Sequence, residues 1–396
     1  MAILFSLPIY LSIFGDFQAI KLINSFIAII AIYLFLNIKH SFFQTGFFIG
    51  VFWFWWVALS FRYYNLSYII PFVILFLGIG YGSIFWVLDK LFKLIKKDFF
   101  IPVSSILWGV FLVFGFDYIR PFTFDWLKPE VLLANSFFAP FKTTLILIVI
   151  ASFLFKLKHP GFIILLAIAL FIPTPKENLP PLKIKLITTY VPQEKKWDKS
   201  YIPIEVKNNF QYINSAIKEK NDVVVLPESA FPLFLNTYPD LMNELQKLSQ
   251  KITIITGALH LKDKKFYNST YIFEKGKVTI LDKHILVPFG EYIPLPIFQK
   301  EINQIFFGGA TDYATSKNFG IFSINGIKFI NAICYEATTK ELYNLKPKYI
   351  IALSNDAWFI PSIQPILQKL LITVYAKQHK KVVFHSINGY KSYIIK

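Results

Sequence analysis

The sequence is poor in the residues that build ordinary soluble scaffolds. Only 16% of its 396 residues are charged, against about 25% in an average soluble domain. It has one cysteine, Cys334. That excludes an intramolecular disulfide and a cysteine-based zinc cage. The six histidines (His40, His159, His260, His284, His379 and His385) include no i, i+4 pair and no HExxH. No metal and no cofactor are therefore expected. Glycine-rich phosphate loops and the GxSxG elbow are also missing, which leaves ATP and serine-hydrolase chemistry without support. There is no internal repeat.

Acidic residues are scarce too: 24 Asp and Glu stand against 41 Lys and Arg, a net charge of +17. This excess suits anionic lipid headgroups. It does not point to nucleic acid, because the lysines are scattered and much of the chain is too apolar.

Apolar residues are what the chain has in abundance. It is 55% hydrophobic and 18% aromatic, with a mean hydropathy of +0.50. Such a composition excludes a disordered or fibrous protein and calls for a second apolar solvent, a bilayer. The first 175 residues hold 18 charges and the remaining 221 hold 47. The first part reads as membrane. The second is a water-facing domain long enough for its own core.

Seven apolar windows follow one another: 1–15, 22–38, 42–61, 67–88, 100–116, 139–155 and 160–174. Two of them, 42–61 and 67–88, carry no charge and are long enough to cross a bilayer. The windows at 1–15, 139–155 and 160–174 are short, and fit tilted spans or re-entrant pieces. Segment 1–15 has no basic n-region and no small-residue cleavage site, so it is not a signal peptide. Loop 89–98 carries Lys90, Lys93, Lys96 and Lys97, and falls on the same side as Lys39, Lys156 and Lys158. By the positive-inside rule that side is the cytoplasm. Seven spans then place residues 176–396 outside. Trp53, Trp55, Trp56, Phe61, Tyr63 and Tyr64 read as an interfacial aromatic belt or as a lipid-binding wall. Asp117 and Arg120, at i, i+3, read as an ion pair or as a headgroup contact.

A proline-rich stretch, Pro173, Pro175, Pro180 and Pro181, marks the boundary. Beyond it, β-branched runs at 183–191, 222–227, 252–258, 267–273, 277–283, 328–334, 349–354 and 381–386 predict strands. Segments 203–220 and 238–250 predict helices. This alternation implies an α/β or α+β sandwich with helices covering its sheets. The expected organisation is a transmembrane helical domain over 1–174, a linker over 175–181 and a globular domain over 182–396.

Three titratable residues sit at the ends of apolar runs: Glu228 after VVVLP, Lys283 after TILD and Cys334 after FINAI. Each alone has an ordinary reading, as a cap or structural pair, a snorkelling surface lysine or a buried core thiol. Together, in this order, they resemble the Glu–Lys–Cys triad of the nitrilase (carbon–nitrogen hydrolase) superfamily. The chemistry fits. A thiol with a free pKa of about 8.5 is mostly protonated at neutral pH. A carboxylate can take its proton as it attacks, and a fixed ammonium can hold the developing oxyanion.

The multi-span start narrows the resemblance. With the strings PQEKKWD (192–198), LPESAFP (226–232), YNST (267–270), LVPFGEYIP (286–294), ICYE (333–336) and SNDAWF (354–359), the chain resembles the bacterial apolipoprotein N-acyltransferase family over nearly its whole length. The resemblance implies a helical membrane bundle plus an αββα nitrilase-like sandwich. The implied activity takes a fatty acyl chain from a membrane phospholipid onto the cysteine as a thioester. It then passes to the N-terminal amine of diacylglyceryl-cysteine on an apolipoprotein, the final step of lipoprotein maturation. Cys334 is then the nucleophile, Glu228 the general base and Lys283 the oxyanion stabiliser. Glu291 and Glu336 support them, Tyr335 offers a backbone donor, and Trp197 and Trp358 match aromatic positions near the pocket. Phe306 and Phe307 are candidates for a water-excluding wall. The implied setting is a monomer in the bacterial inner membrane, with the catalytic domain on the periplasmic side.

Three features depart from the family pattern. No further span follows the second domain, so the domain is expected to be tethered on its N-terminal side alone. Gln368 stands where a histidine is expected, and His385-Ser386-Ile387-Asn388 replaces an Arg-Ser-x-Asn string. A membrane-tethered amidase acting on a small amide is the rival within the enzyme class. A non-catalytic lipid-binding protein is the rival outside it, although all three triad residue types are present.

Overall fold

The computed structural model describes residues 1–95, 100–121, 124–288, 290–292 and 313–396. The chain divides into two compact units. One comprises Met1–Pro175 and Pro361–Gln378, the other Lys176–Ile360 and His379–Lys396.

The first unit is helical: α1 (Ala2–Leu11), α2 (Gln18–Asn37), α3 (Phe42–Phe54), α4 (Ile70–Phe92), α5 (Val103–Val110), α6 (Val131–Ala134), α7 (Lys142–Lys156) and α8 (Gly161–Leu170). Every apolar window carries one of these helices, and α6 is an extra short turn. Three helical stretches, Gln18–Asn37, Phe42–Tyr64 and Ser67–Phe92, are long and apolar enough to cross a membrane. The ten-residue α8 rises about 15 Å, half of a hydrocarbon core of about 30 Å.

Glycine sets the tightest helix contact. A Cβ on Gly46 of α3 would lie 2.6 Å from the carbonyl oxygen of Tyr81 on α4, and one on Gly50 would lie 2.8 Å from that of Leu77. Without side chains the two backbones touch, the close packing that small residues allow between apolar helices. Aromatic rings fill other gaps. Phe42 stacks on Trp108 at 4.3 Å between centroids, and Trp56 packs on Trp126 at 5.1 Å. Trp53 and Trp56 are buried, so these two serve the core of the unit rather than a belt.

The expected Asp117–Arg120 pair needs correction. The chain leaves its short 3-10 turn after Tyr118, and Ile119 is extended, so i, i+3 no longer share a face. Arg120 Nε donates instead to the Asp117 backbone carbonyl, at 2.7 Å, and lies 3.4 Å from Asp125. The Asp117 carboxylate meets Lys128 and Lys142.

The second unit holds two six-stranded sheets. The strands are β1 (Ile184–Leu186), β2 (Thr188–Thr189), β3 (Val223–Val225), β4 (Phe231–Phe234), β5 (Thr253–Lys262), β6 (Lys265–Glu274), β7 (Lys277–Asp282), β8 (Ile321–Ile324), β9 (Ile327–Ile333), β10 (Tyr349–Asn355), β11 (Val382–Asn388) and β12 (Tyr393–Ile395). One sheet runs β1-β3-β5-β6-β7, with β4 on β5. The other runs β12-β11-β10-β9-β8, with β2 on β11. The helices are α9 (Gln193–Lys196), α10 (Ile202–Lys218), α11 (Pro239–Leu248) and α12 (Lys340–Tyr343).

The period of two along β3 explains the layering. Val223 and Val225 pack with Phe329, Ile351 and Leu353 of the other sheet. Val224 faces the opposite way, into a core shared with Ile213 of α10 and Leu245 of α11. Two sheets thus meet face to face, and helices cover the outside of the first. The chain between β10 and β11 forms α13 (Gln364–Gln378), which is part of the first unit. There Lys369 pairs with Asp16 at 3.1 Å, and Gln378 donates to the Pro140 carbonyl at 3.0 Å.

Candidate active site

Strand ends deliver the three predicted residues. After β3 the chain turns at Pro227, which cannot donate to a ladder, and Glu228 follows. Ser229 takes a left-handed φ of 49°. Gly257 on β5 permits this turn, since a Cβ there would lie 2.6 Å from the Glu228 Cα and 2.5 Å from the Ser229 nitrogen. Lys283 follows β7 directly, and its N–H donates to the Asn268 carbonyl on β6 at 2.9 Å. Cys334 follows β9 and opens a 3-10 turn with a φ of 52°. A left-handed φ at a residue other than glycine stores strain, a feature that clusters at functional sites.

The side chains converge. Lys283 Nζ lies 2.7 Å from Glu291 Oε2 and donates to Oε1 at 2.9 Å. Asn268 Nδ2 donates to both Glu228 Oε1, at 2.8 Å, and Glu291 Oε1, at 2.9 Å. The Asn355 backbone N–H donates to Glu228 Oε2 at 2.8 Å. Glu336 accepts from the N–H groups of His284 (2.7 Å), Ile285 (3.1 Å) and Ile333 (2.7 Å). It therefore ties the residue after Lys283 to the residue before Cys334. Glu228, Lys283 and Glu336 are buried, and Cys334 is partly exposed.

Charges in this dry cluster act strongly on one another. Burial raises the Glu228 carboxyl above its ordinary value. Lys283 pulls it down and Glu291 pushes it up. The Cys334 thiol is pushed well above its ordinary value by burial and by Glu228, with Lys283 opposing. Burial alone lowers the Lys283 ammonium, but Glu291 and Glu228 outweigh it and its pKa ends raised. Burial also raises Glu336, despite Lys283 and its three backbone donors. These shifts favour the protonated thiol at rest, beside a carboxyl that burial raises and a lysine whose charged form its carboxylate neighbours favour. Among the described residues, no group of three His, Cys, Asp or Glu is placed to hold a metal ion.

Comparison with known proteins identifies the family. The family model of the apolipoprotein N-acyltransferase integral membrane domain matches residues 1–174, and that of carbon–nitrogen hydrolases matches residues 191–383. The apolipoprotein N-acyltransferase of Wolinella succinogenes is 40% identical, over 100% of this chain and 94% of its own length. The chain belongs to the apolipoprotein N-acyltransferase family. Its relative in Campylobacter jejuni is 37% identical over 100% of this chain and 88% of its own. A solved CN-hydrolase superfamily protein from Xanthomonas campestris is 15% identical, covering 53% of this chain and 77% of its own, with a TM-score of 0.39.

Within this apolipoprotein N-acyltransferase relative, asparagines that the sequence reading gave no role join the site. Asn268 lies in the YNST string, Asn355 in SNDAWF and Asn388 in HSIN. Asn388 Nδ2 donates to Asn355 Oδ1 at 2.7 Å, and Asn355 Nδ2 donates to Gln193 Oε1 at 2.8 Å. The signal was their place in the short strings YNST, SNDAWF and HSIN. Asparagine carries no charge to draw attention to itself. Tyr335 is buried directly after the nucleophile. Trp197 is 40% exposed and stands outside the hydrogen-bonded cluster. Trp358 is half-buried in the 3-10 turn Asp356–Phe359 that follows Asn355. Phe306 and Phe307 lie outside the described residues.

Proposed function

We propose that this chain moves a fatty acyl chain from a membrane phospholipid, through a thioester on Cys334, to the N-terminal amine of diacylglyceryl-cysteine on an apolipoprotein. One observation carries the reading. A single partly exposed thiol, in left-handed backbone, shares a buried cluster with Glu228 and Lys283. Ionised Glu228 takes the thiol proton as sulfur attacks the donor ester carbonyl. The ammonium of Lys283, held by Glu291, faces the oxyanion, and the N–H of Tyr335 is a second donor. Collapse expels the lyso-phospholipid alkoxide, which takes the proton back from Glu228. The acceptor amine then attacks the thioester. Glu228 removes its proton and returns one to the departing thiolate, leaving an amide and a free thiol.

Both substrates carry lipid tails and a bulky head. A covalent intermediate lets them visit in turn, so the order is ping-pong, with lyso-phospholipid leaving first. The thioester must survive the interval, and half-buried Trp358, in the turn that follows Asn355, is placed to keep water from it. The working arrangement is a monomer in the bacterial inner membrane. Residues 1–174 form the membrane domain, 175–181 the linker and 182–396 the catalytic domain on the periplasmic side. Intact mass after mixing with phospholipid tests the reading. An acyl adduct is expected on wild-type protein, followed by loss of that adduct when acceptor lipopeptide is added after free donor is removed. No adduct, or no transfer until donor is restored, would sink it.

A further inference from the structure

A buried polar chain crosses the sheet that contains β10, β11 and β12, and the chemistry above does not use it. His385 on β11 has both ring nitrogens engaged. Nε2 lies 2.7 Å from the Ser354 hydroxyl on β10, and Nδ1 lies 2.9 Å from the Tyr393 hydroxyl on β12. His385 and Ser354 are fully buried. Leu353 and Phe384 face the other sheet, so by the period of two Ser354 and His385 point away from it. The register explains the reach. His385 lies opposite Tyr393 on one side and opposite Ala352 on the other. The small Ala352 side chain leaves the ring free to meet Ser354, two residues further along the same face. Burial pushes the His385 pKa down to about 3, so the ring is neutral, with one nitrogen donating and the other accepting. Burying polar groups on a sheet face is costly unless each is paired, and a paired chain holds its members rigidly.

What this chain holds is the peptide that serves the base. That peptide joins Ser354 to Asn355, and its N–H donates to Glu228 Oε2 at 2.8 Å. Asn355 points the opposite way from Ser354, and its amide binds Asn388 and Gln193. β11 therefore grips the end of β10 on both faces, with His385 on one and Asn388 on the other. We propose that Tyr393, His385 and Ser354 form a positioning device for the general base, in which the imidazole fixes Ser354 and so aims the Asn355 N–H at Glu228. No covalent bond to His385 forms or breaks.

The proposal rests on Glu228 being the base for Cys334, and takes its substrate from the acyltransferase reading. The charged and titratable groups that share the field of Glu228 are Lys283, Glu291, Cys334 and Lys196, and the variants chosen leave all four in place. The test uses full-length protein in detergent, where Cys334 is the sole cysteine. The pH dependence of its alkylation by iodoacetamide is followed beside acyl-adduct formation from phospholipid. Ser354→Ala and Tyr393→Phe each remove one hydroxyl and little volume. A hydrogen bond to the ionised form of an acid favours that form, so a slackened Asn355 N–H leaves Glu228 protonated to higher pH. The acidic limb of both reactions should move up by about half a pH unit in each variant, about a threefold loss below the limb. The double variant S354A/Y393F should move it no further, because one break already disconnects the chain. Ser354→Thr, which keeps the hydroxyl, should leave the limb in place. If the double variant does not fold, the two single variants are read against Ser354→Thr. An unmoved limb in either hydroxyl-removing variant, shifts that add in the double variant, or an equal loss at every pH would overturn the proposal. Wild-type protein that alkylates but never takes an acyl chain would overturn the acyltransferase reading instead, and leave the alkylation test standing.

Discussion

Each unit buries a cluster of charges, and the two differ in their balance. In the first unit Asp117, Asp125 and Glu130 meet Arg120, Lys128 and Lys142. Lys142 Nζ lies 2.9 Å from Asp117 and 3.2 Å from Glu130, and Lys128 reaches Asp117 at 3.3 Å and also pairs with Asp125. Three anions face three cations. In the second unit Glu228, Glu291 and Glu336 gather around Lys283. Buried carboxylates occur in both clusters, although Arg120 of the first is exposed, so burial alone does not mark a catalytic site. The balanced set is a clamp on the irregular chain between α5 and α7. In the second cluster, burial raises the Glu228 carboxyl, burial and then Glu228 raise the Cys334 thiol, and the carboxylates around Lys283 favour its charged form. That imbalance is what proton transfer and oxyanion binding require.

The comparison breaks most completely at the nucleophile. Cys334→Ala is expected to abolish acyl-adduct formation, since no other side chain in the chain can carry a thioester, and intact mass reads the result directly. A retained adduct would place the chemistry elsewhere. Next in size is Lys283→Ala, which removes the cation that pairs with Glu291 and the ammonium facing the oxyanion. The rate of acylation should drop by about 10²–10³-fold, the scale of one oxyanion donor. A loss below tenfold in folded protein would show that Lys283 only neutralises Glu291.

Unbalancing the first unit should damage stability rather than chemistry. Lys128→Met leaves Asp117 and Asp125 short of a buried partner. Breaking a buried pair on one side costs about 3–5 kcal/mol, read as a lower melting temperature in detergent. The alkylation profile of Cys334 in the folded fraction should stay where it was. A shifted profile with unchanged melting would mean that this cluster is linked to the chemistry after all.

Which parts of this were legible in the sequence follows from the same physics. The eight β-branched runs became strands, some of them, such as β3 and β11, buried on both faces and others, such as β7, partly exposed. The strands β4, β8 and β12 escaped notice for local reasons. Pro232 interrupts β4, whose register on β5 shifts between Phe231 and Phe234. The other two are short edge strands of four and three residues. The helix α13 is buried on almost every face, so it shows no polar stripe to give the 3.6-residue period away. Glu228, Lys283 and Cys334 stood out because a titratable group at the end of an apolar run is costly. Asn268 and Asn355 did not, because an amide inside or at the end of a strand is unremarkable until its partners are known.

The smallest expected effect sharpens the comparison most, because it alters charge balance without altering charge. Asn268 Nδ2 bridges Glu228 and Glu291, donating to two carboxylates that repel each other. A hydrogen bond to the ionised form of an acid favours that form, and this one lowers the Glu228 pKa against the burial that raises it. Asn268→Ala removes the bridge and leaves Lys283 as the remaining counter-charge held by Glu291. The Glu228 carboxyl then moves further above the ordinary glutamate value of about 4.3. A base acts only when ionised, so activity is present above its pKa and lost as pH falls through it. The acidic limb of acylation should therefore move to higher pH by about one unit, a tenfold loss below the limb. Little change is expected well above it, where Glu228 is ionised in both proteins. A uniform loss at all pH values would mean that Asn268 places Glu228 without setting its charge. An unchanged profile would mean that Lys283 and the Asn355 N–H hold the carboxylate unaided.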